Sequence, residues 1–104
     1  MIKRLVICKT CDGPGVALAD ALRGRAPGWD VVLHECLSVC AEPVSMAVQA
    51  TGKATYVFVG LTDADSDDAL AFIRLYDDTP NGWIADARSA GRLRFCLKTR
   101  VPAL

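Results

Sequence analysis

Histidine is almost missing from this chain: His34 is the only one in 104 residues. With a single imidazole, no Ser-His-Asp arrangement can be argued. An excess of charge of either sign is missing too, with 12 Lys and Arg against 12 Asp and Glu. That balance argues against a dedicated nucleic-acid binder, which carries a basic surplus. No run approaches the ~20 apolar residues that a membrane-spanning helix needs. The opening Met1, Ile2, Lys3, Arg4 starts charged, but the apolar run behind it is broken by Cys8, Lys9 and Asp12. It is too short for the core of a secretory signal. Gly13-Pro14-Gly15 lacks the Lys and Ser/Thr of a phosphate-binding loop. The aspartates of residues 63–68 fail the EF-hand pattern, because its glycine and glutamate positions fall on Asp68 and Arg74. They read instead as anions at a helix start. No pair of carboxylates is assigned to a common catalytic site. Internal repeats and low-complexity segments are absent.

What remains is a single domain of ordinary globular composition, 52% hydrophobic and 23% charged. A chain of this length buries roughly two thirds of its extended surface, enough for one core. The expected setting is the cytoplasm, where thiols are kept reduced. Against that background five cysteines stand out. In such a compartment they point to metal binding or redox chemistry rather than to structural disulfides.

Four of them form two close pairs. Cys8 and Cys11 have two residues between them, and Cys36 and Cys40 have three. Each pair directly follows a short apolar run with strand character, residues 2–7 and residues 31–33. The first run is apolar at Ile2, Leu5, Val6 and Ile7, which suits a strand buried on both faces. Between the runs, Val16, Leu18, Ala19 and Leu22 have helical spacing, predicting a helix over 16–25 with Arg23 and Arg25 in its last turn. Gly24 or Gly28 is the expected stop, and Pro27 forbids continuation. The second strand is expected over 29–35. A strand-helix-strand unit makes the two strands parallel, so both cysteine pairs leave from the same end of the sheet.

Residues 44–50 and 53–59 then read as a hairpin about Thr51-Gly52, with a helix over 44–50 as the rival reading. A helix over 66–76 follows from Ala69, Phe72, Ile73 and Tyr76 at i, i+3, i+4 and i+7. Asp65, Asp67 and Asp68 crowd its start, and the turn at residues 78–82 ends it. The stretch 93–97 is a candidate short last strand. The order β-α-β followed by β-β-α is that of a thioredoxin-like domain with a mixed four-stranded sheet. Pro43 stands where that fold leads into its third strand.

Three chemistries use the same cysteines differently. Four thiolates are the usual ligand set of a [2Fe–2S] cluster, here Cys8, Cys11, Cys36 and Cys40. The same four could hold tetrahedral zinc in an interaction module. Alternatively, Cys8 is the nucleophile and Cys11 the resolving thiol of a thiol–disulfide oxidoreductase. That reading leaves Cys36 and Cys40 idle, and Gly13-Pro14-Gly15 separates the pair from the helix that would activate it. Cys96, inside an apolar run, reads as a small core hydrophobe. His34 would have to displace a cysteine to act as a ligand; a strand histidine, or one that modulates a nearby cluster, is the plainer reading. The basic stretch Arg88, Arg92, Arg94, Lys98 and Arg100 is a solvated face or a dock for an acidic redox partner.

These residues carry a resemblance. The two cysteine pairs, Pro43, the segment Gly52-Lys53-Ala54-Thr55-Tyr56-Val57-Phe58 and Arg100-Val101-Pro102 resemble a family of small bacterial predicted metal-binding proteins of the thioredoxin-like [2Fe–2S] ferredoxin type. The first pair departs from the better-known thioredoxin-like ferredoxins, whose gap is longer. The resemblance implies a cluster on Cys8, Cys11, Cys36 and Cys40 and a role in electron transfer or cluster handling, with no catalysis by the chain alone. It also touches components found around cobalamin synthesis. The partners expected are a redox protein and, as an option, a second copy of the chain (a homodimer).

Overall fold

The computed structural model describes residues 2–8, 15–34, 45–84 and 88–102. Cys11, Cys36, Cys40 and Pro43 lie outside them. The described chain runs β1 (Lys3–Cys8), α1 (Gly15–Leu22), β2 (Asp30–His34), β3 (Met46–Ala50), β4 (Thr55–Phe58), α2 (Ser66–Asp78) and β5 (Leu97–Val101). A 3-10 turn, Asp63–Asp65, leads into α2, and Arg88–Phe95, 3-10 on either side of a kink at Gly91, precedes β5.

The strands form one mixed sheet in the order β2-β1-β3-β4-β5. It has five strands where four were expected. β1 is parallel to β2 and antiparallel to β3, and every other neighbouring pair is antiparallel. Leu5, Val6, Ile7 and Cys8 are all buried, as an apolar run in a central strand requires. The alternation of strand side chains divides the sheet into two faces. Leu5, Ile7, Met46, Val48, Tyr56 and Phe58 share one core with Leu18 and Leu22 of α1 and Phe72, Ile73 and Tyr76 of α2. The other face carries Arg4, Val6 and Cys8 with their register partners.

Three boundaries differ from the sequence expectation. First, α1 stops at Leu22, not Arg25, because Gly24 takes φ +79° and a left-handed residue ends a helix. Arg23 and Arg25 therefore lie beyond its last turn and pair with Asp20 at 3.0 Å and Asp67 at 2.6 Å. Second, β4 begins at Thr55, not Lys53, so the hairpin is wider than two residues. Lys53 leaves the ladder because its ammonium donates to the carbonyls of Tyr76 at 2.8 Å and Asp77 at 3.2 Å. A cation there satisfies carbonyls that the end of α2 leaves open. Third, residues 93–95 are 3-10 and the last strand is Leu97–Val101.

That third change has a long-range cause. Arg92 grips Asp65 with two bonds, Nε to Oδ1 at 2.8 Å and Nη2 to Oδ2 at 2.6 Å, and also donates to the Gly60 carbonyl at 2.7 Å. Asp65 accepts in addition from the Thr62 amide at 2.8 Å, closing the 3-10 turn. The carboxyl of Asp65 is held below its usual range by the Arg92 hydrogen bond, against the opposing effect of burial. Asp65 stands at the start of α2, as the sequence led one to expect, but its side chain makes no capping bond to α2 and pins the 88–95 segment through Arg92.

An aromatic cluster closes the core. Tyr56 meets Phe72 edge-on at 5.0 Å, and Phe58 meets Phe72 at 4.9 Å. Both tyrosine hydroxyls find carbonyls: Tyr76 donates to Ala54 at 2.6 Å and Tyr56 to Gly82 at 2.7 Å. Burial pushes the Tyr76 phenol up to about 12. Trp29, just ahead of β2, donates to Asp77 at 3.2 Å. No helix among the described residues is long and apolar enough to cross a membrane.

Two outcomes are expected. Gly82 sits at φ +71°, and a Cβ there would meet Lys53 Cβ at 2.9 Å and Ala54 N at 3.0 Å, whereas Gly52 faces open space. Urea denaturation should show Gly82→Ala losing about 3 kcal/mol and Gly52→Ala only about 1 kcal/mol. For Asp65, a depressed native carboxyl supplies stability that is complete above the unfolded value and is lost as pH falls through the native one. Asp65→Asn should therefore be weaker than wild type by about 2 kcal/mol at neutral pH. The two urea midpoints should converge as the pH drops below 3.8, the ordinary value of the group. A gap indifferent to acid would contradict this account.

Candidate metal centre

The parallel register of β1 and β2 makes Cys8 and His34 partners. Both are the last residues of their strands. The segments that follow, residues 9–14 and 35–44, therefore start from the same end of the sheet. Cys11 lies in the first, and Cys36 and Cys40 in the second. The common origin expected for the two pairs is thus met at the strand ends. How the other three thiols sit lies outside the described residues.

Cys8 is completely buried. It shares the face of Val6 and opposes Ser45, whose carbonyl accepts from the Cys8 amide at 3.1 Å. Ser45 is also fully buried, and its hydroxyl has no hydrogen-bond partner among the described residues. A buried hydroxyl without a partner costs about 1–3 kcal/mol, so its position calls for an acceptor. A thiolate or an inorganic sulfide beside it would be one. His34, Cys8 and Ser45 thus form one row across three strands at the end that carries the cysteines. The row fits a sulfur-ligated metal group: a buried thiol, an unused hydroxyl donor next to it, and an exposed histidine on its flank. Among the described residues alone there is no group of three or more Cys, His, Asp or Glu that could hold a metal. Cys8 is the one predicted ligand within them.

Sequence reasoning missed Ser45. Nothing in its local pattern marks it, because its significance comes from the β1–β3 register and from the lack of a partner. Cys96 behaves as expected: it is buried, in the core cluster, and burial pushes its thiol up despite the nearby Arg92.

The same end of the sheet carries an exposed basic and aromatic patch. β4 and β5 pair so that Phe58 and Leu97 are partners, and Phe58 is in turn the partner of Met46 beside Ile7. Phe95, 74% exposed, therefore lies on the side of the cysteine end, with the Arg94 guanidinium 4.5 Å from its ring centre. Residues 88–102 hold five cations and no carboxylate. Arg92 is committed to Asp65, and Arg100 stacks on Trp83 at 3.7 Å while donating to the Ile84 carbonyl.

Replacing Ser45 by alanine should leave the metal-free protein as stable as wild type or more stable, by up to about 1 kcal/mol, since only an unsatisfied hydroxyl is removed. Calorimetry on metal-free protein checks it. A clear loss of stability would mean that the hydroxyl has a structural partner.

The chain belongs to the family described as "Protein of unknown function (DUF1636)", whose model matches residues 5–103. No curated protein and no solved structure matches it.

Proposed function

We propose that this DUF1636 member is a [2Fe–2S] protein on a thioredoxin-like domain, acting in the cytoplasm as an electron carrier or cluster-handling protein. Cys8, Cys11, Cys36 and Cys40 would be its ligands. The observation that carries the reading is the pairing of a fully buried Cys8 with His34 at the shared end of two parallel strands, from which both cysteine segments depart. When bound, such a cluster takes up and releases one electron at a time. The chain's own residues do the rest. The sheet shields Cys8 from water, the Ser45 hydroxyl is available to donate to sulfur, and His34 stays exposed at the flank. Hydrogen bonds to sulfur and burial are the protein's means of setting a potential. Arg94, Phe95 and the cations near them would receive an acidic redox protein, held by charge at the rim and by the exposed ring.

Burial also weighs against the oxidoreductase. A catalytic thiol is reached by its substrate and is activated in an electropositive, partly exposed setting. Cys8 is instead the last residue of a central strand, and α1 begins only at Gly15. The zinc module uses the same four thiolates and is separated by chemistry rather than by geometry.

Protein purified without oxygen should absorb in the visible and carry about two irons and two sulfides per chain. Serine at Cys8, Cys11, Cys36 or Cys40 should each abolish the colour, while Cys96→Ser should keep it. A colourless protein with about one zinc per chain would select the interaction module. A metal-free protein that also resists reconstitution with iron and sulfide would sink both metal readings.

A further inference from the structure

The open face of the sheet is organised in transverse rows. One is apolar over four strands and ends on a threonine: Val6 partners Val32 and Ala47, Ala47 partners Val57, and Val57 partners Thr99. The next, farther from the cysteine end, is polar. Arg4 partners Asp30 on one side and Gln49 on the other, and Thr55 partners Val101. Continuing the β3–β4 register by one residue brings Gln49 beside Thr55. A concavity of about 530 Å³ opens over this row, and its lining includes Arg4, Gln49 and Thr55 together with Ile2, Val101 and Pro102.

Arg4 is anomalous there. Its Nε is buried and has no hydrogen-bond partner, and among the described residues its guanidinium makes no ion pair. The other cation at the cavity, Lys53, is committed to the end of α2. Asp30 stands on the β2 side of Arg4, away from the cavity, and is not among its lining residues. Withdrawing part of a guanidinium from water without a partner is costly. The Nε edge of arginine is half of a planar fork that matches a carboxylate with two parallel bonds. One uncommitted cation suits a single negative charge, whereas a phosphate brings nearly two. Ile2 and Val101 are exposed, so the lining offers apolar surface to the rest of a ligand.

We propose that this cavity binds a small organic carboxylate. Arg4 grips the carboxylate, Gln49 and Thr55 offer further donors, and the apolar frame lies against Ile2, Val101 and Pro102. The site is separate from the cysteine end. Arg4 and Cys8 are four residues apart on β1, roughly 13 Å at strand spacing, and the test does not depend on any metal.

The test is a titration of the full-length, isotope-labelled chain with benzoate, followed by amide NMR, with benzamide and inorganic phosphate as parallel probes. Benzoate should produce saturable shifts at Arg4, Gln49, Thr55 and Val101, and benzamide should not. Arg4→Gln should weaken benzoate by at least about tenfold, the size expected for losing a charge-assisted pair. Val101→Glu, which sets a carboxylate in the exposed lining, should block benzoate to a similar degree and serves if the arginine variant does not fold. An absence of saturable shifts would overturn the proposal. So would an equal response to benzamide, tighter binding of phosphate than of benzoate, or benzoate binding that survives both substitutions.

Discussion

The register of β1 is the constraint on which both ends of the molecule depend. Side chains alternate along a strand, so a slip of one residue would move Leu5 and Ile7 out of the helix-covered core and turn Arg4, Val6 and Cys8 into it. The pairing is held from both sides, parallel to β2 and antiparallel to β3. It is also held by burial, since Leu5 and Ile7 are wholly enclosed with Met46 and Val48. Burying each of these side chains favours the native register by about 1.5–3 kcal/mol, whereas moving the Arg4 charge into the same core would cost several. The position of Cys8 beside His34 and Ser45 is therefore a by-product of the packing of Leu5 and Ile7, three and one residues upstream.

Charge is distributed to support this frame rather than to stabilise it pair by pair. The chain has no net charge, yet acidic groups crowd the start of α2 and basic ones the 88–102 stretch. Where the two meet, one contact matters: Asp65 is only 7% exposed and is met by two arms of Arg92. Arg25 with Asp67 and Arg23 with Asp20 are largely in water, where such pairs contribute little. At the corner beyond that contact, the Arg94 guanidinium lies 4.5 Å from the ring centre of the exposed Phe95.

The central part of the fold was legible because it is written in short-range pattern. The apolar run before Cys8, the i, i+3, i+4, i+7 spacing in α2 and the parallel relation of two strands across one helix are all local or topological. β5 was not legible. Leu97-Lys98-Thr99-Arg100-Val101 is an edge strand with largely exposed side chains, so it lacks the alternation that marks a half-buried one, and the nearby Leu93, Phe95 and Leu97 drew the expectation upstream. What fixes the boundary is Arg92 reaching Asp65, 27 residues away in sequence. The two cysteine pairs stand out in the sequence as a composition and a spacing, whereas Ser45 and Arg4 do not. Each gains its meaning only from what stands across from it in the sheet and from what fails to bond with it.

The burial of Cys8 reaches further than a label of ligand or nucleophile. The thiol is completely buried at the end of a central strand, and the Cys8 amide is already bonded to the Ser45 carbonyl. The same enclosure lowers the local dielectric, which makes an unpartnered donor such as the Ser45 hydroxyl costly when unused and effective when used. On the proposed reading, a buried sulfur-ligated group would gain a shielded environment from Cys8 and a donor already in place from Ser45.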